Sequence, residues 1–195
     1  MIDPVDGSIN FSQWIKRKSS VSSFWGMILS YFKKGRPYEG VMVYSALGKI
    51  LTASLETREI KLLDFNRNLI RDLTALEHKN KDAHLIVSTD FYHGTNLDTI
   101  DIGIRKLVAT KNVQITRALG STAVSGLALA EGDVDLIFNA ACTWDFPVIN
   151  IIVEILGGGG RAFDGAELDW TKPKMSGVFC GNLDNLNRVL KVFNS

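Results

Sequence analysis

Asp3 and Asp6, three residues apart in the run Asp3-Pro4-Val5-Asp6-Gly7-Ser8, are the side chains in this sequence best placed to do chemistry. Hard divalent cations such as Mg²⁺ take oxygen ligands from one or two carboxylates and leave positions open for water and phosphate. Asp3 and Asp6 supply the charges, and the Val5 carbonyl can add a neutral oxygen between them. Gly7 permits a sharp turn that a Cβ would hinder. Ser8 then starts a short helical turn, whose free backbone N–H groups attract phosphate. Read alone, the pattern is more often an Asx-type turn ahead of a helix.

A third carboxylate, Asp145, follows Trp144 and precedes Phe146-Pro147, an apolar stretch from Val148 to Leu156 and the four glycines 157–160. Proline is tolerated in the first turn of a helix, where its missing N–H would be unpaired anyway. Asp145 therefore reads as an N-cap or first-turn acid, and the glycines as a helix stop. As a bare cap it would contribute about 1 kcal/mol. A carboxylate at a helix start can equally hold a metal.

Taken together, Asp-Pro-Val-Asp-Gly-Ser-Ile-Asn-Phe at 3–11, Arg117-Ala118-Leu119-Gly120-Ser121-Thr122-Ala123 and Trp144-Asp145 resemble three ordered motifs of the inositol monophosphatase family. These are Mg²⁺-dependent, lithium-sensitive phosphatases. Ordered motifs at plausible spacing are a much stronger signal than any one of them. The resemblance runs from Ile2 to about the C-terminus and is weakest between Leu55 and Asp82. It implies that Asp3, Val5, Asp6 and Asp145 bind Mg²⁺. Asp6, Ser8 and Asp145 would be catalytic, with Ser8 meeting phosphate and helping to orient the attacking water. Val5, Asp6, Gly7, Ser8, Gly120, Ser121, Thr122 and Asp145 would contact the substrate, the Gly120-Ser121-Thr122 segment touching its alcohol part. The chemistry implied is hydrolysis of a small phosphomonoester by a metal-activated water.

Two departures shape that expectation. The family carries helices, a hairpin and a Gly-Glu-Glu element ahead of the first motif, whereas here Asp3 is the third residue. The N-terminal part, with one metal-ligand glutamate, is expected to be missing. Phe138, seven residues before Asp145, stands where inositol-specific members tend to carry a glutamate, so the expected substrate is an inositol monophosphate-like compound or a related sugar or nucleotide phosphate, with inositol phosphate itself disfavoured. The reading from another class is a catalytically inactive homologue acting as a binding or oligomerisation module.

Composition narrows the field. At 195 residues, 46% hydrophobic and 22% charged, the chain can bury one ordinary core and is not disordered. A net charge of +1 gives no electrostatic case for nucleic acid, and Lys16-Arg17-Lys18 reads as a solvated loop. No apolar run reaches membrane-spanning length. Cys142 and Cys180 form no disulfide framework and read as structural thiols, while His78, His84 and His93 lack metal-ligand spacing. The expected partner is a small phosphorylated metabolite, and the expected location, from the cysteines and the absence of a signal pattern, is cytoplasmic.

These groups need a scaffold. Strands are predicted across 21–34, 38–44 and 48–53, joined at hairpin distances as an antiparallel meander, with another at 57–63. Residues 66–81 carry Leu69, Ile70, Leu73 and Leu76 at helical spacing. From Ala83 the pattern changes to short strands (84–88, 113–116, 134–138, 178–180) alternating with helices. The helices are Leu97 to Ala109, with Ile100, Ile104, Leu107 and Val108 inward, Ser121 to Ala130, the segment after Asp145, and 183–192. Residues 1–82 thus read as an antiparallel-sheet half and 83–195 as an α/β half of one unit. The resemblance implies a layered α/β fold, the αβαβα sugar-phosphatase sandwich, here without its first helical layer and hairpin. An uncovered first sheet would then favour a homo-oligomer.

Overall fold

The computed structural model describes residues 1–17, 24–75, 84–89, 97–111 and 113–195. The first sheet is an antiparallel meander in sequence order: β1 (Ile2–Asp6), β2 (Gly26–Lys33), β3 (Arg36–Tyr44), β4 (Lys49–Ser54), β5 (Glu59–Asp64) and β6 (Leu69–Asp72). The helix α1 (Ser8–Arg17) lies between β1 and β2 in sequence. The second sheet has the order β10-β11-β9-β7-β8, built from β7 (Leu85–Ser88), β8 (Val113–Arg117), β9 (Leu136–Cys142), β10 (Gly159–Ala162) and β11 (Lys174–Cys180). In it β7 runs parallel to β8 and β9, and β11 antiparallel to β9 and β10. The helices are α2 (Leu97–Ala109), α3 (Thr122–Ala130), α4 (Pro147–Ile155) and α5 (Leu183–Phe193). This is the layered arrangement of α and β expected from the sequence.

Strand alternation decides which face is buried. Along β2, Ile28 and Ser30 point inward while Met27, Leu29 and Tyr31 stand exposed. Cross-strand rows follow: Ile28, Met42, Leu51 and Leu62 are neighbours on the inner face, and all four are buried. The next inner row, Ser30, Gly40 and Ala53, is small. That row makes room for α4, which packs against β3. A Cβ on Gly40 would stand 2.4 Å from Cγ2 of the fully buried Val148. The helices α3 and α4 fill the space between the sheets, their apolar residues joining those of both in one core. On the far side of the second sheet, α2 and α5 close a second core around Phe138, Val178 and Val189.

Several details depart from the periodicity. The helical spacing at 66–81 gives β6 instead, paired with β5 through a shift in register, with Leu69 and Ile70 exposed. Asp64 holds the preceding turn by accepting from the Asn68 amide (2.9 Å), so turn chemistry prevails over helical spacing. Leu76, His78 and His93 lie outside the described residues, as does Lys18. Arg17 and Lys16 end α1 rather than lying in a loop. In α2, Leu107 is buried and Ile104 partly so, while Val108 is 50% exposed, because the residue after an inward position is rotated onto the flank. The side chain of Ile100 is not described. The glycines after α4 do more than stop it: Gly159 and Gly160 enter β10, and the ring of Phe179 covers Gly160 and Gly177, taking the place of the side chains these strands lack.

Among the described residues, Ile2, Met27, Leu29, Tyr31 and Leu69 remain exposed on the outer side of the first sheet, and β1 is an edge. Gly40→Ala should overpack the β3–α4 contact and destabilise the fold by about 1–3 kcal/mol. Urea unfolding measures it, and an unchanged midpoint would show that Val148 is free to move aside.

Candidate metal and phosphate site

Successive side chains of a regular strand alternate faces, so Asp3 and Asp6 would point to opposite sides of β1. The register prevents this. Asp3 pairs with Ile28 and Asp6 with Gly26, so three steps on β1 oppose two on β2. The bulge adds one residue at Pro4-Val5 and turns both carboxylates to the inner side. Proline is tolerated there because a bulge leaves one residue without a ladder partner. Asp3 Oδ1 accepts from the Val5 N–H (3.2 Å), which is the Asx-type turn of the bare pattern. The same residues make the turn and aim the acids.

Gly7 comes next with φ +76°, and a Cβ there would lie 2.8 Å from the Cβ of Ser121. Only glycine lets the chain turn this close to the start of α3. From that start, Ser121 Oγ and the Ala123 N–H (2.7 Å) both donate to Asp6 Oδ2. Ser121 also caps α3, its Oγ accepting from the Val124 N–H at 3.2 Å.

Asp145 arrives from the other sheet. It closes a 3₁₀ turn, Thr143–Asp145, at the end of β9. It does not cap α4 as its position before Pro147 suggested. Phe146 takes the cap position, Pro147 the first turn, and Asp145 Oδ2 accepts backward from the Cys142 N–H at 3.0 Å. Thr143 fixes the turn to the segment before β11, its N–H donating to the Pro173 carbonyl (3.1 Å) and its hydroxyl to that of Lys172.

The result is that Asp3, Asp6 and Asp145 each present a carboxylate oxygen within 4.8 Å of the other two. Asp6 and Asp145 are buried. Burial pushes the Asp6 carboxyl up from 3.8 to about 6, against the lowering effect of its bonds to Ser121 and Ala123. Asp145 is also pushed up, first by burial and then by the negative charges of Asp6 and Asp3. Three acids held together at this cost suit a hard divalent cation, whose charge would favour their ionised forms. Among the described residues, the three acids are the group of side chains able to hold one.

The remaining expected residues divide. Ser8 is exposed at the first position of α1, and Gly7 and Gly120 are half-buried beside the acids' supports. Ser121 and Thr122 have no exposed surface, and Asn139 donates to Thr122 Oγ1 at 3.4 Å. Their hydroxyls are bonded at the start of α3, Ser121 Oγ to Asp6 and the Val124 N–H and Thr122 Oγ1 to Asn139. Phe138 lies in the second core, its ring centroid 4.3 Å from Phe163 and 4.6 Å from Phe193. Cys142 is half-buried beside Asp145, Cys180 is buried, and both are free thiols. His84 contacts the Lys111 carbonyl (2.6 Å).

One support has no counterpart among the residues expected from the sequence. Asn10 Nδ2 donates to the carbonyls of Phe24 (2.6 Å), Leu119 (3.2 Å) and Gly120 (3.3 Å), tying α1 to the approach of α3. The signal was present, since Asn10 belongs to the first motif and asparagine commonly bridges to backbone. Tyr44, fully buried, donates from its hydroxyl to the Ala123 carbonyl (2.9 Å) and braces the same turn from below.

A model of the inositol monophosphatase family matches residues 1–194. A search of curated proteins finds no match. Among solved structures the chain is similar to the IMPase of Thermotoga maritima, with 24% identity, a TM-score of 0.68 and coverage of 99% of this chain and 67% of that one. It is similar to the SuhB protein of Bartonella henselae at 18% identity and a TM-score of 0.73, covering 100% and 69%. An IMPase/NADP phosphatase complexed with Mg²⁺ and phosphate gives 18%, 0.69, 100% and 66%. The chain thus spans about two thirds of the length of these structures. With the family matched over nearly its whole length, the chain belongs to the inositol monophosphatase family.

Proposed function

We propose that this chain carries the metal-binding and phosphate-binding part of a Mg²⁺-dependent phosphomonoesterase acting on a small phosphorylated metabolite. The observation that carries the reading is the meeting of Asp3, Asp6 and Asp145 within 4.8 Å, drawn from both sheets. Family membership supports phosphatase chemistry. The Mg²⁺ and phosphate held by the similar IMPase/NADP phosphatase support the choice of metal.

In this reading Asp3, Asp6, Asp145 and the Val5 carbonyl hold Mg²⁺, which when bound lowers the pKa of water and offsets phosphoryl charge. Asp6 is fixed by the start of α3, so its carboxylate keeps its direction as charge builds on the substrate. Asp145 is fixed by the Cys142 amide in the same way. Ser8 and the backbone N–H groups at the start of α1 receive the phosphate oxygens, where the helix dipole favours negative charge. Gly120 borders the alcohol side, and the glycine turn at Gly7 keeps Cβ atoms away from the phosphate. Phe138 offers no acceptor to a substrate hydroxyl and is committed to aromatic packing, which favours a phosphate other than inositol phosphate.

Asp145→Asn is expected to lower Mg²⁺-dependent phosphate release by at least roughly a hundredfold while leaving the circular dichroism spectrum unchanged. Phosphate release that persists in this variant would reject the site. A second expectation follows from linkage. A carboxyl raised in the folded state stabilises the protein fully below its unfolded value and loses that contribution as pH rises through its folded value. Without metal, the melting temperature should therefore fall as pH rises from about 4 to above 6, the interval set by Asp6. Millimolar Mg²⁺ should restore it, more at pH 8 than at pH 5, because the cation binds the ionised acids. Thermal melts with and without Mg²⁺ measure both effects, and an identical response at the two pH values would contradict the metal assignment.

A further inference from the structure

The outer face of the first sheet carries a pattern that its inner packing does not require. Across the strands from β2 to β6, Met27, Val43, Ile50, Leu63 and Leu69 are successive cross-strand neighbours, and all of them are apolar. Beside them runs a second row, Ile2, Leu29, Val41, Thr52, Lys61 and Asp72, apolar over its first half. A third row, Tyr31, Glu39, Ser54 and Glu59, forms the polar border. Alternation puts all three on the side opposite the buried Ile28, Met42, Leu51 and Leu62. Ile2, Leu29 and Leu69 are each at least half exposed, and Val41, Val43 and Ile50 between them are half-buried. A sheet with one solvated face ordinarily alternates apolar inside with polar outside. A continuous apolar row on the second face marks a surface that something covers.

Charge, edge and area select the occupant. The polar groups at the border are satisfied within the chain: Lys61 Nζ meets Glu59 Oε2 at 2.8 Å, and Ser54 Oγ donates to Glu39 Oε1 at 3.2 Å. In these rows Glu39, Glu59 and Asp72 outweigh Lys61, which disfavours an anionic lipid surface. The edge of β1 is blunted by Pro4 and the bulge beside it, so an added strand has no regular ladder to join. Another apolar face is the fitting partner, and the same face of a second copy supplies it without stranding a charge. Six strands about 4.8 Å apart and three rows about 7 Å apart give a footprint of roughly 600 Å² per copy. The pair then buries about 1,200 Å², the lower bound of stable interfaces.

We propose that this chain forms a two-fold dimer through the outer face of its first sheet, the apolar rows of the two copies packed face to face. Two twisted sheets stack about 10 Å apart with their strands about 30° from parallel, a spacing at which the side chains of facing rows interdigitate. Each first sheet is then covered on both faces, by α3 and α4 within and by its twin outside. Ile2, the neighbour of Asp3, brings β1 into the contact.

Sedimentation velocity on the full chain, over about a hundredfold range of micromolar concentrations, reads the association. Leu29→Lys places a charge on the apolar half of the face, and Val108→Lys places one on the exposed side of α2, away from it. The parent should dimerise as concentration rises. Association should weaken by at least about tenfold in Leu29→Lys and stay unchanged in Val108→Lys. Circular dichroism reports whether each variant is folded. Should Leu29→Lys not fold, Leu69→Lys replaces it, because every residue of β6 is exposed and the change disturbs no core contact. A parent that stays monomeric, a dimer that the folded face variant retains or that Val108→Lys loses equally, or assembly that grows past two copies overturns the proposal. Flotation of a monomer with phosphatidylserine vesicles would identify a lipid surface instead and overturn it as well.

Discussion

The site depends on holding like charges together away from water. The rise of the Asp6 carboxyl from 3.8 to about 6 means that folding disfavours its charged form by about 3 kcal/mol. Hydrogen bonds from Ser121, Ala123 and Thr122 at the start of α3 act in the opposite direction, and burial prevails over them. A fold at the usual margin of about 5–15 kcal/mol can carry such a cost only where other contacts fix the acids in place. Those contacts are the Ser121 and Ala123 donors for Asp6, the Val5 amide for Asp3 and the Cys142 amide for Asp145. Each acid is thus held by groups next to it or by one helix start. A bound cation would turn the same crowding from a penalty into affinity.

Local backbone features make that arrangement possible. Without the bulge in β1, Asp3 and Asp6 would face opposite sides of the sheet. Without a glycine at 7, the chain could not turn so close to Ser121. The motif is compact because each residue meets a separate geometric need. Proline sits at the bulge, a carbonyl lies between two acids, a left-handed turn follows, and then a helix starts. Asn10 extends the unit by one turn, binding carbonyls from two distant segments.

How much of this could be read beforehand depended on whether the information was local. The acids, the left-handed glycine and the helix start at Ser8 were legible because their chemistry depends on neighbours in sequence. The hairpins from β2 to β5 were legible because alternation and short turns both specify them. Other features follow from distant partners. The segment 66–81 carries helical spacing, yet the edge of β5 claims Leu69–Asp72 as β6. The glycines after α4 looked like a stop, and only the ring of Phe179 explains why they enter a strand. The burial of Ser121 and Thr122 goes with the close approach of the turn at Gly7 to the start of α3, which no local pattern encodes. The place of Asp145 in a 3₁₀ turn, ahead of the cap, depends on Thr143 reaching the segment before β11.

Since Asp3 and Asp6 belong to the first sheet and Asp145 to the end of a strand in the second, their separation is set by what lies between the sheets. That layer is α3 and α4, whose residues pack against both sheets in one core. α3 touches the site directly by holding Asp6, and α4 begins two residues after Asp145. A change in how α4 seats on the small row of β3 therefore reaches the carboxylates through two residues of chain. Charge repulsion varies inversely with distance and is strong where water is excluded, so small shifts in this layer alter both metal affinity and the acidity of the site. The core packing and the chemistry are one problem in this fold, and the small residues at Ser30, Gly40 and Ala53 belong to both.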